Sequence, residues 1–173
     1  MNTEPTLPNP AIDPAGAKVR DFLRCNALSA TPEFVEFEPF GYEENYCHIS
    51  AKHRVLTDGG RRVHGWALWE FQDLVIGEFH SVWERPNGTI VDVTPPKFGA
   101  SRLLFVRDPS CRIEEENGAF LLHTDRTSWP NLPFVFQGAP SDYSHWMLPP
   151  DHPDLVRYCQ KLGLTNTSPL LDG

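Results

Sequence analysis

The sequence predicts an α+β domain with helices packed on a mainly antiparallel β-sheet. Three observations lead there. Two helical patterns open the chain, and several strand-like runs follow them. Short turn signals such as Arg85-Pro86-Asn87-Gly88 and Asn117-Gly118 separate those runs. The chain has 173 residues, 40% of them hydrophobic and 12% aromatic, which suffices for one domain with a real core.

Taken in order, residues 1–14 hold Pro5, Pro8, Pro10 and Pro14 and read as an extended, mobile leader. Residues 15–173 read as one domain. A helix is expected over 15–28, because Val19, Phe22 and Leu23 recur at helical spacing. Asp13 would be its N-cap and Pro14 its first helical residue. Phe34 to Phe37 alternates like a short strand. A second helix is expected from near Cys47, capped by Asn45 and ended by Gly59-Gly60. Strands are then expected at 62–71, 74–82, 89–94, 102–107 and 119–124, where β-branched and aromatic residues concentrate. The run Glu114-Glu115-Glu116 reads as a solvated turn, and Phe134-Val135-Phe136 as a short apolar run among prolines. Pro153 to Leu162 reads as a final helix, with Asp151 or His152 near its cap and Gly163 beyond its end.

Charge narrows the partners. The formal net charge is −8 and the pI about 5.3. Phosphate binding needs clustered Lys and Arg, so nucleic acid is disfavoured, and anionic membrane surfaces less strongly so. The N-terminus has neither the basic nor the apolar region of a secretory signal, and no run of about 18 apolar residues exists. A cytoplasmic location without a membrane span is the expectation. Cys25, Cys47, Cys111 and Cys159 are widely spaced, form no metal-finger pattern, and are expected to be reduced and mostly buried.

Chemistry concentrates in Glu78–Pro96, EFHSVWERPNGTIVDVTPP. A two-residue Asn87-Gly88 loop would ask Pro86 for a ladder hydrogen bond that it has no N–H to make. A type I turn with Gly88 in the left-handed bulge position fits better. Arg85 then pairs with Thr89, Val82 with Asp92 and Ser81 with Val93, while His80 faces Thr94. In that register His80 and Asp92 share one strand face as diagonal neighbours, within reach of a side-chain bond. Phe79, Ser81, Trp83, Val91 and Val93 form the other, apolar face, expected to pack on the core. A carboxylate on one ring nitrogen fixes the tautomer of a histidine and supports its charged form. A satisfied structural pair is the plainer reading of the same two residues.

Cys47 favours the chemical reading. It stands at the expected start of a helix, where N–H dipoles favour a thiolate. Cys47 as nucleophile, His80 as base and Asp92 as orienter make a coherent set. The residues CHISAKHRVLTDGGRRVHGWALWE and EFHSVWERPNGTIVDVTP resemble the transglutaminase-like and NlpC-type branch of the papain-like cysteine hydrolases, over about residues 41–96. The matching positions are Cys47, Gly65-Trp66-Ala67, His80 with Trp83, and Asp92-Val93-Thr94. Phe79 before the histidine, and Trp83 three residues after it, depart from the family pattern. The resemblance implies a papain-like core and acyl transfer from a peptide or other amide, without a cofactor. Hydrolysis, deamidation and transfer to an amine all stay open, and so does the oligomeric state. Trp66, Trp83 and Asn45 are the expected substrate contacts, although core packing is the usual role of tryptophan. Two other classes compete. Cys47, His48, His53, Glu78, His80 and Asp92 offer ligands for zinc or iron. A non-catalytic binding module could line a groove with Trp66, Trp69, Trp83, Trp129 and Trp146. His64, His123, His145 and His152 read as ordinary surface or half-buried residues.

Overall fold

The computed structural model describes residues 9–10, 13–71, 74–96, 99–116, 119–123, 146–148 and 150–168. In chain order the elements are β1 (Asn9–Pro10), α1 (Ala17–Cys25), β2 (Glu33–Glu36), α2 (Cys47–Asp58), β3 (Arg61–Phe71), β4 (Leu74–Glu84), β5 (Ile90–Val91), β6 (Arg102–Arg107), β7 (Arg112–Glu116), β8 (Ala119–His123), β9 (Trp146–Leu148) and α3 (Pro153–Lys161). The fold is mixed α+β, and every strand pair of its two sheets is antiparallel. The main sheet runs β2-β6-β3-β4-β5, with β1 added on β3. The smaller sheet runs β7-β8-β9.

The long β3–β4 hairpin is the spine, in register from Arg61↔Glu84 to Phe71↔Leu74. Its alternating residues give it two apolar faces. Val75, Phe79, Trp66 and Leu68 look toward α1, where they meet Val19 and Phe22. Further along the same β4 face, Trp83 joins Val91 and Val93 against Ile49 and Ala51 of α2 and Leu155, Tyr158 and Cys159 of α3. The opposite face carries Ala67, Trp69, Ile76 and Val82, which bury against Val35, Leu103 and Phe105. The sequence led us to expect one core face on the β4–β5 hairpin. Both faces are buried, because the sheet curls until its ends meet. A parallel bridge joins Phe37 to Asp92, the Asp92 amide donates to the Glu36 carbonyl, and the Glu38 amide donates to the Asp92 carbonyl.

Several expected boundaries shift. Part of the leader is anchored, since Asn9 and Pro10 pair with Glu70 and Trp69. The first helix starts at Ala17 behind Gly16, later than expected. Asp13 spends its side chain on the Ala15 amide in a tight turn (2.9 Å), which removes it as a helix cap. The α2 cap position belongs to Tyr46, which makes no side-chain cap bond, and not to Asn45. Glu114 to Glu116 lie on β7, not in a turn: Ile113 is buried while Glu114 is exposed, and Glu116 pairs with Ala119 across the hairpin. Alternation with only one apolar inward residue hid that strand. The run 134–136, Trp129 and the side chains of Trp146, His123 and His145 lie outside the described residues.

Outside the sheets, α3 is fastened to the segment that enters α2. The Tyr158 hydroxyl accepts the Glu43 amide (3.0 Å) and bonds the Ser50 hydroxyl (3.1 Å). Arg157 and Lys161 pair with the Glu43 carboxylate and hold it down at about pH 2. These are exposed pairs, and the buried Tyr158 ring stacked on Tyr46 does more of the fixing. All four cysteines are free thiols. Cys47, Cys111 and Cys159 are buried, while Cys25 is exposed, contrary to the expectation that packing would claim it. No helix among the described residues is long and apolar enough to cross a membrane.

Candidate active site

The site starts with the turn between β4 and β5. The Gly88 amide donates to the Arg85 carbonyl (2.8 Å), and the Arg85 amide donates to the Thr89 carbonyl (2.9 Å). Gly88 has φ +86°, a left-handed value that a β-carbon would strain. Trp83 pairs with Val91 and Glu84 with Ile90, the expected register. Beyond Val91 the chain leaves β4 for the bridge to Phe37. His80 and Asp92 nonetheless meet, with Nε2 of the ring 3.1 Å from Oδ2 of the acid. The second carboxylate oxygen, Oδ1, accepts the Thr94 amide at 3.0 Å. Asp92 is therefore held by its backbone at the seam and by both oxygens of its side chain.

Across the hairpin from the ring, the backbone is packed tightly against β6. Gly65 is the β3 partner of His80. A β-carbon there would stand 2.1 Å from the Val106 carbonyl and 2.7 Å from the Phe105 ring. No other residue fits this position without moving a strand.

Cys47 is the first residue of α2. Asn45, exposed and with φ +68°, turns the chain just before it. The first amides of a helix have no carbonyl partner within it, so the sulfur sits at the positive end of the helix. Two imidazoles flank that sulfur, His48 from its own helix and His80 from β4, each acting on it through charge and through hydrogen bonding. Burial pushes the Cys47 thiol up, but the two histidines outweigh it and leave the thiol well below its ordinary range. Burial pushes His80 down, and Asp92 and Cys47 together outweigh it, so the ring is held well above its ordinary value. All three residues are nearly sealed: Cys47 is 8% exposed, His80 7% and Asp92 1%. The arrangement favours thiolate on Cys47 and imidazolium on His80, with a carboxylate behind the ring. Cys159 is the contrast, since burial alone acts on its thiol and raises it.

The expected substrate contacts fare differently. Trp66 is fully buried and gives its indole N–H to Asp108 (2.8 Å). Trp83 is buried among Tyr42, Val91 and Val93 and donates to the Gly59 carbonyl (2.9 Å). Trp69 is buried as well. These three rings fill core and do not line a groove, because both faces of the hairpin are covered. Asn45 stays exposed near Cys47.

Sequence reading passed over three residues here. From sequence His48 reads only as a metal ligand, and His64 as an ordinary surface or half-buried residue. Both bond the hydroxyl of Ser81, at 2.6 Å and 2.7 Å from their Nδ1 atoms. Ser81 is fully buried, and Phe79 packs against both rings. Ser81 on the apolar face of a strand was the available signal. The third residue is Thr94, whose buried hydroxyl makes no hydrogen bond among the described residues.

Of the six proposed metal ligands, His53 and Glu78 are engaged elsewhere. His53 bonds the Tyr42 hydroxyl (2.7 Å) and the Leu162 carbonyl (3.1 Å), and Glu78 accepts the Trp69 indole (3.0 Å). Among the described residues no group of three His, Cys, Asp or Glu is placed to hold a metal ion.

No family model, curated protein or solved structure matches this chain. What supports a function is the chemistry of the site.

Proposed function

We propose that this protein is a thiol-dependent acyl-transfer enzyme on a papain-like or transglutaminase-like plan, acting on a peptide or other amide with Cys47, His80 and Asp92. The observation that carries this reading is the convergence of a sulfur at a helix start with an imidazole already bound to a buried carboxylate. A cysteine helix packed on an antiparallel sheet that carries histidine and aspartate supports the same plan.

The Cys47 thiolate adds to the carbonyl carbon: a C–S bond forms and the carbonyl π pair moves onto oxygen. The Cys47 amide, at the first position of α2, is a donor for that oxyanion. Collapse breaks the C–N bond, and the departing amine takes the proton held by the His80 imidazolium. An acyl thioester remains. His80, now neutral, takes a proton from water or from an acceptor amine as that molecule attacks. The C–S bond breaks and the thiolate–imidazolium pair is restored. Asp92 accepts from Nε2 throughout, which leaves Nδ1 for this traffic.

An activated ester tests the reading directly. With p-nitrophenyl acetate, the protein should release a burst of nitrophenolate equal to the protein present. Peptide mapping should then place the acetyl group on Cys47, and Cys47→Ala should lose both. Acetyl groups spread over Cys25 and other nucleophiles, with none favouring Cys47, would refute it.

A further inference from the structure

His48, the residue after Cys47 in α2, is gripped twice. The Ser81 hydroxyl on β4 bonds its Nδ1 at 2.6 Å, and the Arg62 guanidinium on β3 donates to its carbonyl at 3.1 Å. The same Ser81 hydroxyl bonds Nδ1 of His64 on β3 at 2.7 Å. Side chain and main chain of one residue are thus fastened to both strands of the long hairpin. The start of α2 lacks the local devices that usually fix a helix start. Its cap residue Tyr46 makes no side-chain cap bond, and its first turn carries no acidic residue. Asn45, just before it, is exposed and stands at φ +68°.

The side-chain grip is a joined trio. Ser81 and His64 are buried, and the Phe79 ring packs against both imidazoles, 5.1 Å from His48 and 5.7 Å from His64. Buried polar groups need partners. A hydroxyl has one proton to give and can accept from two donors. When Ser81 donates to one ring, that ring has a bare Nδ1, and the other ring gives its Nδ1–H to the Ser81 oxygen. Two bare Nδ1 atoms would lose one of the bonds. Two protonated ones would turn the hydroxyl proton away from both rings. The intact trio therefore holds one Nδ1–H between the two rings, and a positive charge on the donating ring leaves that count unchanged.

We propose that Ser81, His64 and Arg62 are positioning residues for the nucleophile: by holding His48 they fix the first turn of α2 on the β3–β4 hairpin, and with it the place of Cys47 relative to His80. Ser81 and His80 are consecutive on β4, so the clamp and the base ride on one strand. The inference rests on the acyl-transfer reading and goes beyond it, because the Cys47, His80 and Asp92 set is complete without these three.

The experiment follows p-nitrophenyl acetate with the full chain and reads its two phases separately. Acylation of Cys47 gives the burst. The slower release that follows needs water activated by His80, so it depends on where α2 puts the thioester. Ser81→Ala and Arg62→Met should each keep a burst equal to the protein present and slow deacylation about tenfold, as displacing a reacting atom does. His64→Phe should slow it less, and His64→Asn, whose amide reaches the place of Nδ1, should recover part of that loss. Nitrogen-15 spectra of the imidazoles need no variant: of His48 and His64, one should carry a proton on Nδ1 and the other should not. Where Ser81→Ala does not fold, Arg62→Met and the spectra decide. Both rings protonated at Nδ1, or neither, overturns the inference, and so do folded variants that deacylate like the parent. Those results leave the acyl-transfer reading standing. An unsubstituted protein that gives no burst defeats that reading and this inference with it.

Discussion

At the scale of single residues, the site turns on two displaced protonation equilibria that point in opposite directions. Cys47 is held below its ordinary value of 9.0, so thiolate persists as the pH falls until that lowered value is crossed. His80 is held above its ordinary value of 6.5, so imidazolium persists as the pH rises until that raised value is crossed. The proposed mechanism needs both charged forms. We expect a bell-shaped profile of kcat/KM with its acid limb well below pH 9 and its alkaline limb well above pH 6.5. The two limbs belong to the coupled pair. A single limb near pH 9 in an esterase assay would contradict the pairing. The candidate site was partly legible at this scale. Cys47, His80 and Asp92 could be nominated because each follows from a local rule: a helix start, a strand face, a turn. His48 and His64 could not be joined. Their link runs through Ser81, on a third element, and nothing in the spacing of 48, 64 and 81 announces it.

Elements were easier to read than the contacts between them. The β4–β5 register followed from one proline and one glycine, because Pro86 cannot serve a ladder and Gly88 can adopt a left-handed turn. The α1 start was missed because Asp13 satisfied a turn before it could serve a helix. The docking of α3 was invisible in sequence, since it depends on Tyr158 meeting Glu43 and Ser50 more than a hundred residues earlier. That docking has a consequence for Cys47, because the chain between Glu43 and Ser50 carries the nucleophile. Tyr158→Phe keeps the stacked ring but strips the Glu43 amide of its acceptor. It should cost about 1–2 kcal/mol in urea unfolding. It should also lower kcat several-fold with little change in KM, as misplacing a reacting atom does. Unfolding and kinetics both indistinguishable from the parent would show that α3 does not set the position of α2.

At the scale of the fold, the main sheet of the described residues curls with helices on one side, and its closure is the part that sequence could not supply. Alternation marked one apolar face on the β4–β5 hairpin. Only the bridge from Phe37 to Asp92 explains why the other face is also dry. That dryness makes the His80–Asp92 pair matter to stability as well as to the proposed catalysis. A raised histidine contributes in full below its unfolded value of 6.5 and loses that contribution as the pH climbs through its folded value. Asp92→Asn should therefore destabilise the fold by roughly 3 kcal/mol at pH 6, and by less at pH 10. It should reduce kcat by about 10²–10⁴-fold. A deficit in urea unfolding that grows toward pH 10 would invert the proposed polarity of the pair.

Asp92 has a double post: its main chain bridges the two ends of the sheet, and its side chain steadies the histidine. The closure of the sheet and the proposed chemical machinery thus share one residue. If that closure parts first under heat or in dilute denaturant, the proposed turnover should fade while helices and the long hairpin still give their full spectroscopic signal. Such a protein would carry its own gauge of incipient opening, readable as lost catalysis before any bulk probe registers unfolding.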